Sequence, residues 1–218
     1  MPKTNRKPPS ERKKSTSSSH RRATPVQQRS EATVQRILQA SMEVLQSQGI
    51  EGFNTNAVAQ HAEVNVGTLY HYFTDKNALL AELFIRFEAE RVNYLQNRLI
   101  HFDETTNLRD WVHETLQMLL DLRITTPGGT VLRNAVRVIP SLYDLGVEQD
   151  EKSADALSSA LRVRYPNVAP ARTDTIARTI IDAGVASLDR VGLGLGRPDI
   201  VLHELTEMIV AYLQTLES

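Results

Sequence analysis

The sequence predicts an all-α fold of about nine helices, and three observations lead there. Apolar residues recur at spacings of three and four along the chain, and no stretch alternates apolar and polar as a half-buried strand does. Proline, glycine and capping residues cut the chain into pieces of helical length. Residues 53–76 set two short helical patterns on either side of a tight turn, the second ending in hydroxyls and aromatic rings. That is the layout of a helix-turn-helix, whose second helix enters the DNA major groove.

Residues 1–29 read as a disordered basic arm. They hold nine Lys and Arg against one acid, Glu11, together with Pro2, Pro8, Pro9, Pro25 and the Ser15–Ser19 run. Such a segment buries too little apolar surface to fold alone. The 218-residue chain carries 25 basic and 26 acidic groups, so the remaining 189 residues stand at net −9. From Ser30 to Thr74 the only Lys or Arg is Arg36, against Glu31, Glu43, Glu51 and Glu63. A DNA-binding core of that charge needs positive potential from elsewhere, and the arm is the nearest source. The alternative is a solvated leader, or a start codon set too early.

Helix by helix, local chemistry justifies each element. Ser30 is expected to cap the first helix, with Glu31 at its positive end and Val34, Ile37, Leu38, Ser41 and Leu45 on its stripe. Gly49 ends it, and Phe53 packs into the small domain. Thr55 is expected to cap the second helix, where Val58, Ala59 and Ala62 form an apolar stripe; Val64 plugs the turn. Asn65 caps the third helix, and Leu69 and Phe73, four apart, face inward. Thr68, Tyr70, His71 and Tyr72 are left on the outer faces, where they suit phosphate oxygens, base edges and thymine methyls. Gly67 lets the backbone approach DNA closely. His61 reads as a solvated helix residue.

Thr74 is expected to cap a fourth helix running to about Ile100, roughly 40 Å at 1.5 Å per residue. Residues 107–124 form the fifth, with Leu108, Trp111, Val112, Thr115, Leu116 and Leu119 on one face, and Pro127-Gly128-Gly129 breaks it. Residues 130–139 and about 147–164 look helical, interrupted by Pro140 and Gly146. Residues 171–191 carry Ile176, Ile180, Ile181, Val185 and Leu188 as a stripe; residues 199–216 carry Val201, Leu205, Met208, Ile209, Tyr212 and Leu216. Gly192-Leu193-Gly194-Leu195-Gly196 is a connector, since no strand precedes it and no Lys-Ser/Thr follows.

The run Val58-Ala59 … Ala62 … Val64 … Gly67-Thr68-Leu69-Tyr70 … Tyr72-Phe73 … Lys76 resembles the signature of the TetR family of bacterial transcriptional regulators. The resemblance is strong over about residues 30–80. It implies a three-helix DNA-binding domain at residues 30–75 and a six-helix ligand-binding and dimerisation body at 76–218. The last two helices would pair with their symmetry mates in a four-helix bundle, Ala183, Gly184, Ala186 and Ser187 allowing close approach. By position, Thr55 would hold a phosphate, while Asn56, Val66, Gly67, Thr68 and His71 would face bases. Tyr70 and Tyr72 would touch the backbone, Tyr70 a base as well, and Lys76 a phosphate. The sequence departs at Glu63, where the family carries Gly in the turn. A left-handed backbone there costs Glu about 1 kcal/mol, and its charge opposes DNA.

The resemblance also implies a homodimeric repressor, released from a pseudo-palindromic operator on double-stranded DNA by a small-molecule effector. Phe84, Phe87, Trp111, Met118 and Tyr143 are candidate pocket residues, with plain core as the competing reading. Arg133 and Arg137 share a helix face and could meet an anionic ligand; a solvated face or an internal ion pair competes. A different reading is an activator, or a DNA-binding protein controlled by a protein partner.

Composition excludes other classes. With no cysteine, disulfides, thiolate zinc sites and cysteine redox sensing are ruled out, and a reducing cytoplasm is expected. No run of 18 apolar residues exists to span a membrane, and no apolar segment follows the basic start as in a signal peptide. His101, Asp103, Asp110 and His113 lack metal-ligand spacing. With no nucleophile motif and no acid pair, neither catalysis, nor a metal, nor a cofactor is expected.

Overall fold

The structure, a computed structural model, describes residues 25–217, with side chains from Arg29 onward. Residues 1–24 of the expected arm therefore lie outside it. Among the described residues there are nine α-helices and no strand: α1 (Pro25–Gly52), α2 (Thr55–His61), α3 (Val66–Tyr72), α4 (Lys76–Leu99), α5 (Leu108–Thr125), α6 (Gly129–Ala135), α7 (Pro140–Arg164), α8 (Pro170–Gly192) and α9 (Pro198–Gln214).

Three helix starts differ from expectation, one because the helix begins earlier in the chain and two because neighbouring caps compete. The first helix begins at Pro25, so Ser30 is no cap; its Oγ donates to the Tyr72 hydroxyl, 3.2 Å away. Asn54, not Thr55, caps α2, its extended backbone letting Oδ1 accept from Ala57 N at 2.9 Å. Asp75, not Thr74, caps α4 and accepts from both Asn77 N and Ala78 N. Carboxylate and amide oxygens reach these N–H groups at the expected helix edge, and an anion also suits the positive end of α4. Asn65 caps α3 as expected, accepting from Gly67 N at 2.7 Å. Gly49 breaks α1 with φ 67°, after which one further turn runs to Gly52.

Pro140 opens α7 rather than interrupting a helix, because the first turn has no N–H to lose. Gly146 then sits inside α7, where a Cβ would lie 2.8 Å from Val136 Cγ1. Here glycine is a packing residue, letting α7 lie close to the turn after α6. Gly128 serves the same end with a left-handed backbone: φ is 69°, and a Cβ would meet Met42 O of α1 at 2.7 Å.

Two apolar clusters build the molecule. One gathers α1, α2, α3, the first half of α4, α6 and Leu142 of α7 around Ile37, Leu45, Phe53, Leu69, Phe84 and Leu132. The other gathers the second half of α4 with α5, α7, α8 and α9 around Leu116, Leu157, Leu161, Leu188 and Ile209. The three-helix head formed by α1, α2 and α3 is thus seated on α6, and α4 runs through both clusters.

Candidate nucleic-acid interface and effector cavity

The head positions its polar surface through short-range geometry. Val58, Ala59 and Ala62 are buried along one side of α2, and Leu69 and Phe73 anchor α3 beneath them. Val64, half-buried, packs against the same core from the turn. Glu63 holds φ 52°, the only non-glycine residue with positive φ among the described residues. That conformation lets Glu63 N donate to Gln60 O and Val64 N to Ala59 O, which sets the angle between α2 and α3.

Around this frame lie the residues expected to contact DNA. Asn56, Gly67, Tyr70, His71 and Lys76 are exposed; Thr55, Val66, Thr68 and Tyr72 are half-buried. The Tyr70 hydroxyl lies 3.0 Å from Thr55 Oγ1, so the first residue of α2 and the exposed face of α3 share a hydrogen bond. Tyr72 packs on the head core and accepts from Ser30, while His71 meets its ring edge-on at 5.1 Å. Gly67 is constrained as well as accessible, since a Cβ would sit 3.2 Å from the capping oxygen of Asn65. Lys76 stands at the first position of α4, beside its capping carboxylate. His61 lies 3.5 Å from Glu43 of α1 at a partly exposed site.

In the body a cavity of about 60 Å³ lies among α4, α5, α7, α8 and α9. Leu95, Phe102, Trp111, Leu116, Leu157, Ile181, Leu188 and Leu213 line it, with Thr115, Arg91 and Arg123 as the polar exceptions. Trp111 packs against Phe102 with ring centroids 4.4 Å apart and planes tilted by 43°, lies under the Arg98 guanidinium at 5.5 Å, and donates its indole N–H to Arg98 O. A Cβ added at Gly184 would meet nothing within 4 Å, and Gly184 is itself part of the lining. Its small size therefore opens the cavity; Ala186 is exposed, and Ala183 and Ser187 are half-buried.

Between the two apolar clusters lies a layer of buried charge. Arg91 Nε donates to Glu88 at 2.5 Å and Nη2 to Asp150 at 2.9 Å. Arg133 reaches three carboxylates, those of Glu88, Asp150 and Asp189, each at 3.3 Å. Arg123 donates to Asp189 at 3.1 Å and to Leu119 O at 3.0 Å. Burial opposes the charge on Arg133, yet Glu88, Asp189 and Asp150 outweigh it and hold the group above its ordinary pKa. Burial pulls Arg123 down, against Asp189. Burial likewise raises Asp150 above the usual carboxylate value, although Arg133 and Arg91 oppose the shift.

The expected pocket residues are dispersed. Only Trp111 reaches the cavity. Phe84 and Phe87 are buried in the head-side cluster, and Phe84 lies under Arg133. Met118 is exposed on α5. Arg133, Arg137 and Tyr143 border an open groove of about 340 Å³ with Asp150, Asp182 and Asp189. Arg133 is the internal ion pair that competed with the ligand reading, and half-exposed Arg137 stands 3.6 Å from Asp189. Glu88 and Arg91 escaped the sequence reading, although their positions gave a signal. They fall on the stripe of Leu80, Phe84, Phe87 and Leu95, where helical spacing calls for apolar residues. Among the described residues no group of three His, Cys, Asp and Glu could hold a metal ion, and no helix is long and apolar enough to cross a membrane.

Comparison with known proteins agrees with this geometry. Residues 37–83 match the family model described as bacterial regulatory proteins, tetR family. Residues 107–213 match the model described as tetracyclin repressor-like, C-terminal domain. No curated protein matches the chain. Among solved structures, a TetR-like transcriptional regulator from Rhodococcus sp. RHA1 superposes with TM-score 0.63 at 19% identity, over 84% of this chain and 96% of that one. The multidrug binding protein EbrR, complexed with imidazole, gives TM-score 0.64 at 20% identity, over 82% and 93%. A TetR-family regulator from Streptomyces coelicolor gives 0.61 at 22% identity, over 84% and 99%. At these identities the likeness speaks for the fold.

Proposed function

The chain belongs to the TetR family of bacterial regulatory proteins, non-enzymatic regulators that bind DNA; on that premise we propose that it is a homodimeric repressor, released from a pseudo-palindromic operator by a small-molecule effector. One observation carries the DNA-binding part. Tyr70 and Thr55 present linked hydroxyls from two helices while the residues behind them are locked into the head core. A rigid frame with an exposed polar rim is what reading base edges and positioning phosphates requires. In this reading Asn56, Val66, Gly67, Thr68 and His71 face bases, and Thr55, Tyr70, Tyr72 and Lys76 hold the backbone.

Two further features support the finer reading. Ile200, Met208 and Tyr212 are exposed at spacings of eight and four along α9, an apolar row that a symmetry mate would cover. Twofold pairing through α8 and α9 would place two heads on successive major grooves, about 34–36 Å apart. The cavity borders α4, whose first turn carries Lys76, so occupancy that moves α4 would change the spacing of the heads. An effector achieves this only by binding the two spacings unequally.

Genomic DNA capture by the purified protein tests the proposal. The expected result is retention of a shared pseudo-palindromic site near particular promoters, lost in Tyr70→Ala while that variant remains a folded dimer. Retention without sequence preference, or wild-type affinity in Tyr70→Ala, would overturn it.

A further inference from the structure

We propose that the body cavity takes a neutral, predominantly hydrocarbon ligand and refuses the same molecule when it carries an ionised group of either sign. This rests on the reading of the body as an effector-binding domain and specifies the effector's chemistry. The walls are apolar side chains from α4, α5, α7, α8 and α9, Leu116, Leu157, Ile181 and Leu213 among them. A ligand there gains by removing hydrocarbon from water, in proportion to the area covered.

The polar groups in the lining are already engaged. Thr115 donates its hydroxyl to Trp111 O at 2.6 Å and accepts from Arg98 Nε at 3.2 Å. Arg91 is held by Glu88 and Asp150, and Arg123 by Asp189 and Leu119 O. The layer to which both arginines belong is balanced at its centre. Three buried guanidiniums, of Arg91, Arg123 and Arg133, face the three carboxylates of Glu88, Asp150 and Asp189. Arg137 touches this layer from the open groove and does not line the cavity. A carboxylate entering the cavity would compete for guanidiniums that are already paired. A cation would find its counter-charges committed. Either would lose its hydration without a partner to replace it. A neutral molecule disturbs none of these bonds.

The size of the cavity adds a condition. At about 60 Å³ it is well below the roughly 150 Å³ cavity that admits benzene. Its walls must part to admit a ligand, and they belong to α4 as well as to α8. The open space beside Gly184 is where added side-chain volume would meet least resistance.

The chain's only tryptophan, Trp111, lines the cavity and reports its occupancy. The test titrates the full chain with 1-octanol, octanoate and octylammonium, three probes of one chain length that differ at the head. Trp111 emission and melting temperature are read, and DNA retention is measured without probe. Octanol is expected to shift the emission and raise the melting temperature, with the two ions weaker by at least about tenfold. Gly184→Leu and Ile181→Phe are each expected to lose the octanol response while keeping a cooperative melting transition and DNA retention. Equal or tighter binding of either ion, silence with all three probes, or wild-type responses in both filled variants would overturn the inference. Absent DNA retention in the wild type would instead count against the regulator reading, so the two failures are distinguishable.

Discussion

Glu63 shows how one residue carries both stability and function. Its φ of 52° is a conformation that costs an L-residue about 1–2 kcal/mol. The turn is kept because it positions α3 through the bonds to Gln60 O and Ala59 O. Glycine would relieve the strain, although the unfolded chain then gains freedom worth about 0.4–1 kcal/mol. Glu63→Gly is therefore expected to be more stable than wild type by up to about 1.6 kcal/mol in chemical denaturation. Glu63→Gln keeps the strain and removes the charge. Both variants are expected to bind operator DNA more tightly at low salt, and only the glycine variant to shift the denaturation midpoint upward. Identical midpoints in all three proteins would remove the strain argument.

At the scale of elements, the charged layer and two glycines decide how helices meet. Arg133 ties α6 to α4, α7 and α8 at once, so the base of the head and the body share one set of bonds. Within that layer Asp150 has its pKa raised by burial, and the sign of its pH effect follows. A carboxyl group that holds its proton more tightly when folded favours the folded state at low pH. That contribution is lost as pH rises through the folded pKa. Asp150→Asn lacks this titration. The stability difference, wild type minus Asp150→Asn, is expected to fall as pH rises from below 3.8 toward neutrality, measured by denaturation in a buffer series. A difference that grows with pH would reverse the assignment. Gly146 makes a separate prediction. Alanine there would bring a methyl to 2.8 Å from Val136 Cγ1, so α7 and the turn after α6 must separate. Gly146→Ala is expected to cost about 1–3 kcal/mol by overpacking, despite its better helix propensity. Unchanged thermal stability would show that Val136 yields freely.

For the whole molecule the governing quantity is charge distribution. The chain is nearly neutral at net −1, yet residues 1–29 carry +8 and the segment from Ser30 to Thr74 is net acidic. DNA affinity depends on counterions released as phosphates are neutralised. If the arm supplies that neutralisation, deleting residues 1–24 weakens operator binding and reduces the slope of log affinity against log salt. The expected loss is about 0.9 in slope for each phosphate contact removed. An unchanged slope would return the arm to the status of a solvated leader. Net acidity of the body also repels DNA, so twofold pairing would leave attraction to the two basic arms.

The sequence by itself determined the helical class of the fold and the packing of the head. Helical spacing at Val58, Ala59, Ala62, Leu69 and Phe73 is a local property, and those side chains are buried as the spacing requires. The outer placement of Tyr70 and His71 follows from the same periodicity. Caps were legible in kind and displaced by one residue at Asn54 and Asp75, because adjacent Asn-Thr and Thr-Asp pairs offer two capping oxygens and only backbone geometry chooses between them. The tertiary structure alone decided which residues meet across helices. Glu88 and Arg91 sit on an apolar stripe that becomes intelligible only when Arg133, Asp150 and Asp189 arrive from α6, α7 and α8. The cavity is likewise a space between five helices, and Gly184 opens it through a missing Cβ. Periodicity fixes the face on which a residue lies. Partners far apart in sequence are fixed only by how the faces pack.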